Sequence, residues 1–472
     1  MKILLTGATG YIAQRLLPVL LEHGHQVVCL VRDAKRFDVG RYGAGQDIEV
    51  WEADLLAPES LRDIPRDIDA AYYLVHSMSA SGDFMAREEL SAANFTEAVG
   101  ATAARQVIYL TGIANQQDLS PHLLSRRRVE EVLAFGPVPV TALRAGIIVG
   151  SGSASFEIIR DLVEKLPVMI APKWLLTRCQ PIAIRNVIEF LSGVLLKPWA
   201  FGRHYDIYGP DVLTYKQMLE EFAHERGLKR HIITLPIMTP RLSSYWLYFV
   251  TSTSYSLARH LVDSMKVEVV ARENDLGSRL GINPIHYREA IRMAFDKIEQ
   301  NMVLSSWKDA MGSWAAAGRL SEQVAVPEYG VFTDNKKLAT GDPEKAAERI
   351  FAIGGHRGWY YADWLWGFRG FLDKLFGGVG LKRGRKNAAT INTGESLDFW
   401  RVIYADRKEK RLLLYAEMLL PGEAWLEFSV KDNMVYQTAT FRPLGLGGRL
   451  YWYAVLPFHW FIFTGMIKKI AG

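Results

Sequence analysis

Residues 2–16, KILLTGATGYIAQRL, place a glycine-rich turn between two apolar patterns. Ile3, Leu4 and Leu5 form the short apolar run of a fully buried strand, and from Tyr11 onward apolar residues recur at helical spacing. Glycine allows a ligand to approach the backbone of such a turn, and the following helix directs N–H groups and the positive end of its dipole at that ligand. The stretch therefore predicts a strand, a pyrophosphate-binding turn and a helix, with an ordinary strand–turn–helix as the alternative.

The ends of the next two strands indicate which nucleotide is bound. The second apolar run, QVVCLVRD, ends in Arg32 and Asp33. In an NAD-preferring unit, an acidic side chain near this point accepts hydrogen bonds from the ribose 2′-hydroxyl. A guanidinium suits a 2′-phosphate instead, so the sequence predicts NADP in preference to NAD; a solvated strand-end charge is the alternative role of Arg32. The third run, IEVWEADL, ends at Asp54 and Leu55, where an adenine is expected.

Strand and helix patterns alternate through residue 150. Further apolar runs at residues 70–78, 104–114 and 139–150 are separated by helical patterns. This alternation predicts an α/β fold with a doubly wound parallel sheet, whose ligands lie at the carboxyl ends of the strands. The residues that we assign to the cofactor on this basis are Thr6, Gly7, Thr9, Gly10, Tyr11, Ile12, Arg32, Asp54, Leu55, Val75, His76, Ser77, Thr111 and Gly112.

Length and composition limit the classes of protein that fit. At 472 residues the chain exceeds one ordinary core, so two domains are expected. The net charge of +5 comes from scattered basic residues, which argues against nucleic acid as a partner. Two cysteines, Cys29 and Cys179, indicate a reducing compartment, and no cysteine or histidine spacing indicates a metal. Because no signal sequence precedes the first strand, we expect a cytoplasmic protein.

Residues 1 to about 300 resemble the short-chain dehydrogenase/reductase superfamily, and within it the atypical branch of NmrA-like redox sensors and isoflavone-reductase-like enzymes. The motifs that carry the resemblance are TGATGYIA, LVRD, ADL, YLVHSM, YLTG and LRAGIIVGSGSASFE. The resemblance implies an NAD(P)-binding Rossmann domain over residues 1–300, with its core in 1–150 and a substrate lobe after it.

The usual catalytic pair of that superfamily is missing here. Its members have a Tyr-x-x-x-Lys pair after the fifth strand, in which the tyrosine is the general acid and the lysine holds the nicotinamide ribose. By the resemblance, the tyrosine position falls on His122, the lysine position on Arg126, and the serine or threonine position on Thr111 or Gly112. A His122–Arg126 pair can still transfer a proton and hold a ribose or phosphate. The alternative is a domain that binds NADP without turnover and carries His122 on its surface.

Residues 326–472 are denser in tryptophan than the chain before them. Alternation in RLLLYAEML and AWLEFSV predicts an antiparallel sheet with one apolar face, and GRLYWYAVLPFHWFIFTGMIKKIAG predicts a final apolar helix. Because this helix contains Pro457 and lacks an uninterrupted apolar stretch of about 20 residues, we interpret it as a cavity lid and expect no membrane span. A helical connection is expected over residues 301–325.

This second stretch resembles a domain of unassigned function in the START/Bet v 1-like (SRPBCC) superfamily, which occurs behind atypical short-chain dehydrogenases in an uncharacterised bacterial family. The residues that carry the resemblance include Gly354, Gly355, Trp359, Trp364, Trp366, Arg369, Gly370, Glu417, Trp452 and His459. It implies a helix-grip fold whose sheet wraps around the last helix.

The tryptophans of this domain have two possible roles. They are candidates for lining a cavity for a bulky apolar ligand, with Glu417 and either Arg369 or Arg385 as polar anchors; filling the domain core is the alternative. The candidate lining residues are Trp359, Trp364, Trp366, Trp400, Trp452 and Trp460.

Three functions fit these patterns. One is an NADP(H)-dependent oxidoreductase that reduces a hydrophobic carbonyl or enone, which is the function that we expect. The others are a catalytically silent NADP(H) redox sensor and a protein that handles a lipid or another hydrophobic ligand. The expected partners are a hydrophobic small molecule or lipid-like ligand, with peripheral membrane contact as a further option.

Overall fold

The computed structural model separates the chain into two compact units, which are considered one at a time. The first is Met1–Thr251 with Ser256–Met311, and the second is Ser252–Tyr255 with Gly312–Gly472. The structure describes residues 1–32, 34, 37, 39–42, 47–76, 84–115, 120–235, 265–299, 326, 331–375, 380, 391–443 and 445–472. Asp33, Ser77, Arg385 and the expected connection over 301–325 lie outside the described residues.

A seven-stranded sheet forms the centre of the N-terminal unit, and all its neighbouring strands are parallel. Its strands are β1 Lys2–Thr6, β2 Gln26–Val31, β3 Ile48–Glu52, β4 Ala70–Tyr73, β5 Val107–Gly112, β6 Val140–Ala145 and β11 His204–Ile207. The order is β11-β6-β5-β4-β1-β2-β3. Strands β2 and β3 are added on one side of β1 and strands β4 to β6 on the other, so the direction of strand addition reverses between β1 and β4. This order confirms the predicted doubly wound α/β sheet, to which β11 is an addition that the sequence did not predict.

Helices cover both faces of this sheet. The described helices of this unit are α1 Ala13–Glu22, α2 Phe84–Gly100, α3 Pro121–Ala134, α4 Ala154–Lys165, α5 Ile184–Gly193, α6 Tyr215–Glu225, α7 Leu276–Leu280 and α8 Tyr287–Glu299. Successive side chains of β1 point to opposite faces. Ile3 and Leu5 are buried in one cluster with α1 and α5, and Leu4 is buried in another with α2 and α3.

Short paired strands follow the main sheet. They are β7 Ile148–Val149, β8 Val168–Pro172, β9 Arg178–Cys179, β10 Ile182–Ala183, β12 Leu213–Thr214 and β13 His231–Leu235. Three two-stranded sheets result, pairing β7 with β10, β8 with β13 and β9 with β12. Aromatic contacts among Phe156, Phe222 and Phe295 join α4, α6 and α8, with ring centroids 5.3–5.6 Å apart. Single 3-10 turns occur at Val39–Tyr42, Pro58–Leu61, Lys173–Leu176 and Pro198–Ala200.

The C-terminal unit contains a six-stranded antiparallel sheet, as the alternating sequence pattern predicts. Its strands are β14 Phe332–Ala339, β15 Ser396–Leu397, β16 Trp400–Asp406, β17 Arg411–Ala416, β18 Gly422–Lys431 and β19 Met434–Pro443. Its helices are α9 Pro343–Ile350, α10 Asp363–Leu375 and α11 Gly445–Ala471, with a 3-10 turn at Gly355–Arg357. The strand order β14-β19-β18-β17-β16-β15 brings β14, which the sequence did not predict, beside β19. Helix α11 packs against these two strands.

The two halves of helix α11 differ in how deeply they are buried. Ile462, Phe463, Met466, Ile467 and Ile470 join the core of the C-terminal unit, whereas much of the first half of the helix is exposed. Gly448–Ala471 has the length and apolar composition of a helix that crosses a membrane, and 28% of its most apolar window is buried within the protein. Core helices of soluble proteins share these properties, so the expectation that α11 does not span a membrane stays a prediction.

Candidate nucleotide-binding and catalytic site

The turn after β1 has the backbone geometry of a close-approach site. Gly7 has φ of +66°, and a Cβ at this position would lie 2.7 Å from the Leu74 carbonyl oxygen. A residue with a side chain is therefore excluded by both conformation and space. The Thr6 hydroxyl fastens the turn to β4, since it donates to the Tyr72 carbonyl at 2.9 Å and accepts from the Leu74 N–H at 3.2 Å. The Gly10 N–H closes the turn on the Gly7 carbonyl at 2.7 Å.

Helix α1 begins directly after this turn without a polar cap from its own sequence. The N-cap is Ile12, whose side chain accepts no hydrogen bond, and the first turn contains no acidic residue. The first N–H groups of any helix have no partner within the helix, and they favour an anion. The Thr9 carbonyl accepts from the Gln14 side chain at 3.0 Å, which holds the approach to the helix in place. The predicted pyrophosphate site thus has the required geometry.

Arg15 places a buried positive charge behind the same turn. Its guanidinium lies 4.0 Å from the Tyr11 ring centroid, and its Nη2 donates to the Ser151 carbonyl at 2.7 Å. Burial lowers the pKa of Arg15 and raises the pKa of Tyr11 to about 12. Tyr11 is therefore a neutral packing residue of the turn, and a Cβ at Gly150 would come within 2.7 Å of its hydroxyl.

Two guanidinium groups and one carboxylate lie together beyond the end of β2. Arg32 is exposed to solvent. The protein around its guanidinium nevertheless removes part of its hydration, and this desolvation lowers the pKa of Arg32. Asp54 acts on this pKa in the opposite direction, whereas Arg87 lowers it further. Arg87 lies on α2, and the sequence analysis missed it because a helical arginine has no pattern that links it to the end of a distant strand. This pair of arginines is where the 2′-phosphate of NADP is expected.

A chain of buried polar groups lies at the end of β4. His76 Nδ1 is 2.9 Å from Glu88 Oε1, and the Ser125 hydroxyl donates to Glu88 Oε2 at 2.5 Å. The other ring nitrogen of His76, Nε2, is buried without a hydrogen-bond partner among the described residues. The pKa of His76 falls from its ordinary value of 6.5 to about 4, mainly because burial disfavours the charged ring; Arg126 acts in the same direction and Glu88 opposes it. His76 is therefore neutral near pH 7.

The predicted catalytic residues lie beside this chain. His122, in the first turn of α3, has its ring centroid 4.7 Å from that of His76. One turn later, Arg126 donates from Nη1 to the Leu110 carbonyl at 3.4 Å, while its buried Nε has no partner in the described part of the chain. The structure thus brings His122, Arg126 and His76 together at one edge of the sheet.

Thr111, the third predicted catalytic residue, lies in β5 next to the same cluster. Its buried hydroxyl is near that of Tyr109, but the two groups lack the geometry of a hydrogen bond, so Thr111 Oγ1 has no partner among the described residues. Burial raises the pKa of Tyr109 to about 12, and its hydroxyl donates to the Arg126 carbonyl at 3.3 Å. Tyr109 is therefore held as a neutral structural group and not as a substitute acid.

The remaining predicted cofactor residues have mainly structural surroundings. A Cβ at Gly112 would meet the Leu123 side chain at 2.9 Å, so glycine here allows α3 to approach β5. Leu55 packs in the core, and only its backbone remains for the expected adenine contact. Val75 is half-buried and directly precedes His76. Glu88, on α2, is buried against His76 and Ser125 and does not belong to the solvated face of its helix.

The C-terminal unit buries a charged pair that differs from the expected anchors. Glu417 Oε1 accepts from Arg401 Nε and Nη2, each at 2.9 Å, and Arg401 Nη1 donates to the Gly394 carbonyl at 2.6 Å. Arg369 instead donates to the Leu419 carbonyl at 3.0 Å. Glu417, one of the expected polar anchors, is therefore paired with Arg401 on the neighbouring strand β16, and its role as a ligand anchor stays a prediction.

The six candidate tryptophans divide into buried and exposed sets. Four are buried, and Trp359 also donates from Nε1 to Asp398 Oδ2 at 2.8 Å. Trp364 and Trp460 are exposed, so neither lines the interior of this unit. The buried four are Trp359, Trp366, Trp400 and Trp452.

Comparisons with known proteins assign part of this architecture. Residues 7–147 match a family model described as NAD(P)H-binding, and residues 329–466 match one described as a protein of unknown function, DUF2867. No curated protein matches the chain by sequence.

Solved structures resemble the N-terminal part at low identity. Triphenylmethane reductase from Citrobacter sp. is 16% identical, with a TM-score of 0.51 over 63% of this chain and 100% of that one. An NADPH-dependent quinone oxidoreductase from Escherichia coli, complexed with NADPH, is 17% identical, with a TM-score of 0.50 over 62% and 99%. A nucleoside-diphosphate-sugar epimerase from Staphylococcus aureus is 14% identical, with a TM-score of 0.50 over 62% and 100%. Residues 7–147 therefore belong to an NAD(P)-binding domain of the Rossmann type, and the N-terminal unit shares its fold with solved structures of an epimerase, a reductase and an oxidoreductase.

Proposed function

We propose that this protein is an NADP(H)-dependent oxidoreductase that reduces a hydrophobic carbonyl or enone. The observation that carries the proposal is the cluster of His122, Arg126 and His76 at the carboxyl edge of the sheet, in the same unit as the pyrophosphate turn. Two of the similar solved structures are described as a reductase and an oxidoreductase, which fits the proposal without testing it.

Each side chain of the cluster has a different role in the proposed reduction. When bound, NADPH supplies the hydride to the carbonyl carbon. His122 donates the proton that the carbonyl oxygen needs, and Arg126 stabilises the negative charge that develops there. His76 remains neutral, with Nδ1–H directed at Glu88 and the Nε2 lone pair available to accept a hydrogen bond from a ribose or substrate hydroxyl.

The choice of NADP rests on the pair of arginines near Asp54. A charge-assisted hydrogen bond contributes about 1.5–3 kcal/mol, so we expect Arg32→Ala or Arg87→Ala to weaken NADPH binding by about 10- to 100-fold. NADH has no 2′-phosphate, and its affinity is expected to stay nearly unchanged. Arg62→Ala removes an exposed arginine of the same unit and serves as the control. Calorimetric titration with both cofactors measures the effect, and equal losses for NADPH and NADH would contradict the assignment.

Turnover distinguishes an enzyme from a silent sensor. With a panel of hydrophobic carbonyls, enones and quinones, the fluorescence of NADPH is expected to decay for at least one compound. His122→Ala is expected to slow that decay by about 10²–10⁴-fold, the usual contribution of a general acid, with NADPH affinity nearly intact. His224→Ala, an exposed histidine on α6, is the matched control. Tight NADPH binding without decay for any compound would favour the redox sensor.

A second candidate function, binding of a hydrophobic ligand, is favoured by polar atoms inside the C-terminal unit. Gln437 is 1% exposed, and neither its amide oxygen nor its nitrogen has a hydrogen-bond partner among the described residues. The same holds for His459 Nδ1 and Asp334 Oδ2, and Asp334 influences the pKa of His459. Each unsatisfied buried polar group costs about 1–3 kcal/mol. A ligand with an apolar body and both a donor and an acceptor group would satisfy them.

Gln437→Leu separates a ligand site from a packing defect. If a ligand pairs with the amide, native mass spectrometry is expected to find a small molecule on the purified wild-type protein and none on the variant. If the amide has no ligand, the variant is expected to be more stable than wild type, because an unsatisfied group of similar volume has been removed. Increased stability with no retained ligand in either protein would reject this second function.

A further inference from the structure

Helix α10 exposes an apolar stripe at helical spacing. Trp364, Phe368, Phe371 and Leu375 follow one another at intervals of four, three and four residues, and each is between 54% and 71% exposed. These intervals place them on one face of the helix. The opposite face packs into the core of the C-terminal unit through residues that include Trp366.

Helix α11 adds a second exposed apolar surface in its first half. Its exposed large apolar residues are Leu450, Tyr453, Leu456, Phe458, Trp460 and Phe461. The two helices are linked by packing, because the Tyr361 ring just before α10 lies 5.2 Å from that of Phe461, and the Trp366 ring lies 6.3 Å from that of Phe463. We call the α10 stripe the aromatic face, and the exposed α11 residues form a second apolar surface of the same unit.

The net positive charge of the C-terminal unit favours an anionic lipid surface over a protein as the partner of the aromatic face. Helix α11 contains Arg449, Lys468 and Lys469 and no acidic residue along its whole length. Residues 326–472 contain 21 lysines and arginines but only 15 acidic residues. Their positive surplus is therefore larger than the net charge of the whole chain, which is +5. Tryptophan and tyrosine prefer the boundary between lipid and water, and basic residues are attracted to anionic headgroups.

We propose that the aromatic face is a docking surface for an anionic lipid bilayer, on which α10 lies in the plane of the interface with its stripe inserted between the headgroups. A helix of 13 residues is too short to cross a bilayer but long enough to lie on one. Its buried face stays packed on the C-terminal unit, so docking requires no unfolding of the core. This surface is independent of the function proposed for the N-terminal unit.

Flotation of the full-length protein with lipid vesicles tests the proposal. We expect binding to vesicles of phosphatidylcholine and phosphatidylserine in equal parts, weaker binding to phosphatidylcholine alone, and loss of the difference at high salt. The triple variant Trp364→Ser, Phe368→Ser and Phe371→Ser is expected to bind at least about tenfold more weakly, because burial of each ring is lost. Phe135→Ser, at the exposed end of α3, is the matched control.

Two further results decide the matter if the triple variant folds poorly. Brominated lipid is expected to quench the tryptophan fluorescence of the wild-type protein, since Trp364 and Trp460 reach the surface. Absence of both flotation and quenching for wild type would overturn the proposal. Wild-type dimers that separate in the triple variant, without any lipid binding, would show that the aromatic face joins two copies of the chain instead.

Discussion

The buried imidazole of His76 makes a quantitative prediction about acid stability. Its pKa is lowered from 6.5 to about 4 in the folded protein, mainly by burial, and its side chain is 16% exposed. Between these two values the unfolded chain binds a proton that the folded chain does not. Stability is therefore lost as pH falls through this window. For this single group, the linkage relation gives a loss of about 2 kcal/mol between about pH 7 and about pH 5.

Hydrogen exchange measures this loss in the N-terminal unit alone. The exchange rates of amides in β4, compared at the two pH values after correction for intrinsic exchange, report the free energy of opening there. His76→Gln removes the titrating group and is expected to remove most of the 2 kcal/mol dependence. His459→Gln is the matched control, because the pKa of His459 is also lowered to about 4 by burial but lies in the C-terminal unit. It should leave β4 unchanged.

An unchanged pH dependence in His76→Gln would refute the reasoning. So would a His76 ring that titrates near pH 6.5 in the NMR spectrum of the folded protein. Either result would mean that the imidazole is accessible to a proton at neutral pH, and that Nε2 does not act as the neutral acceptor proposed for the site.

Two further predictions concern single positions in each unit. Gly7→Ala is expected to lower the melting temperature of the N-terminal unit more than Gly24→Ala. Both glycines have positive φ, so a side chain at either costs about 1–2 kcal/mol, but only a Cβ at Gly7 would clash with the Leu74 carbonyl. Equal shifts in melting temperature would contradict this reasoning. Glu417→Gln leaves the Arg401 guanidinium buried without its carboxylate and is expected to destabilise the C-terminal unit by about 3–5 kcal/mol in denaturant unfolding, whereas a change below about 1 kcal/mol would show that the pair is solvated.

Local backbone chemistry explains why the nucleotide turn was predictable. The tight turn, the positive φ of Gly7 and the start of α1 all follow from the order of residues within one short stretch. The same applies to the parallel sheet, whose buried strands appear as uninterrupted apolar runs. β11 was missed because its four residues, HYDI, include two polar side chains and lie among the short strands of the following lobe. β14, FTDNKKLA, has polar residues at both its half-buried and its exposed positions at the edge of its sheet, so it also lacks a clear apolar run.

Pairs of residues that are distant in sequence were not predictable in the same way. Glu88 and Glu89 are neighbours on α2, yet Glu88 is buried against His76 while Glu89 faces Arg128 at the surface. Sequence spacing gives the face of a helix but not what packs against it. Arg401 meets Glu417 only because β16 and β17 pair in one register, which depends on the whole sheet.

The polar cluster beside α3 bears on whether the N-terminal unit is an enzyme. Burial of polar groups without complete hydrogen bonding lowers stability, and His76 Nε2, Thr111 Oγ1 and Arg126 Nε all lack a partner among the described residues. Binding of the pyrophosphate requires only the turn and the start of α1. These three groups lower the stability of the fold and are not needed to bind the pyrophosphate. Such groups are expected at a site where a ribose, a substrate or a transition state completes their hydrogen bonds. Nucleotide binding alone can use the neutral His76 as an acceptor, but it has no need of a second histidine beside it that can donate a proton, and this is why we favour hydride transfer over the sensor.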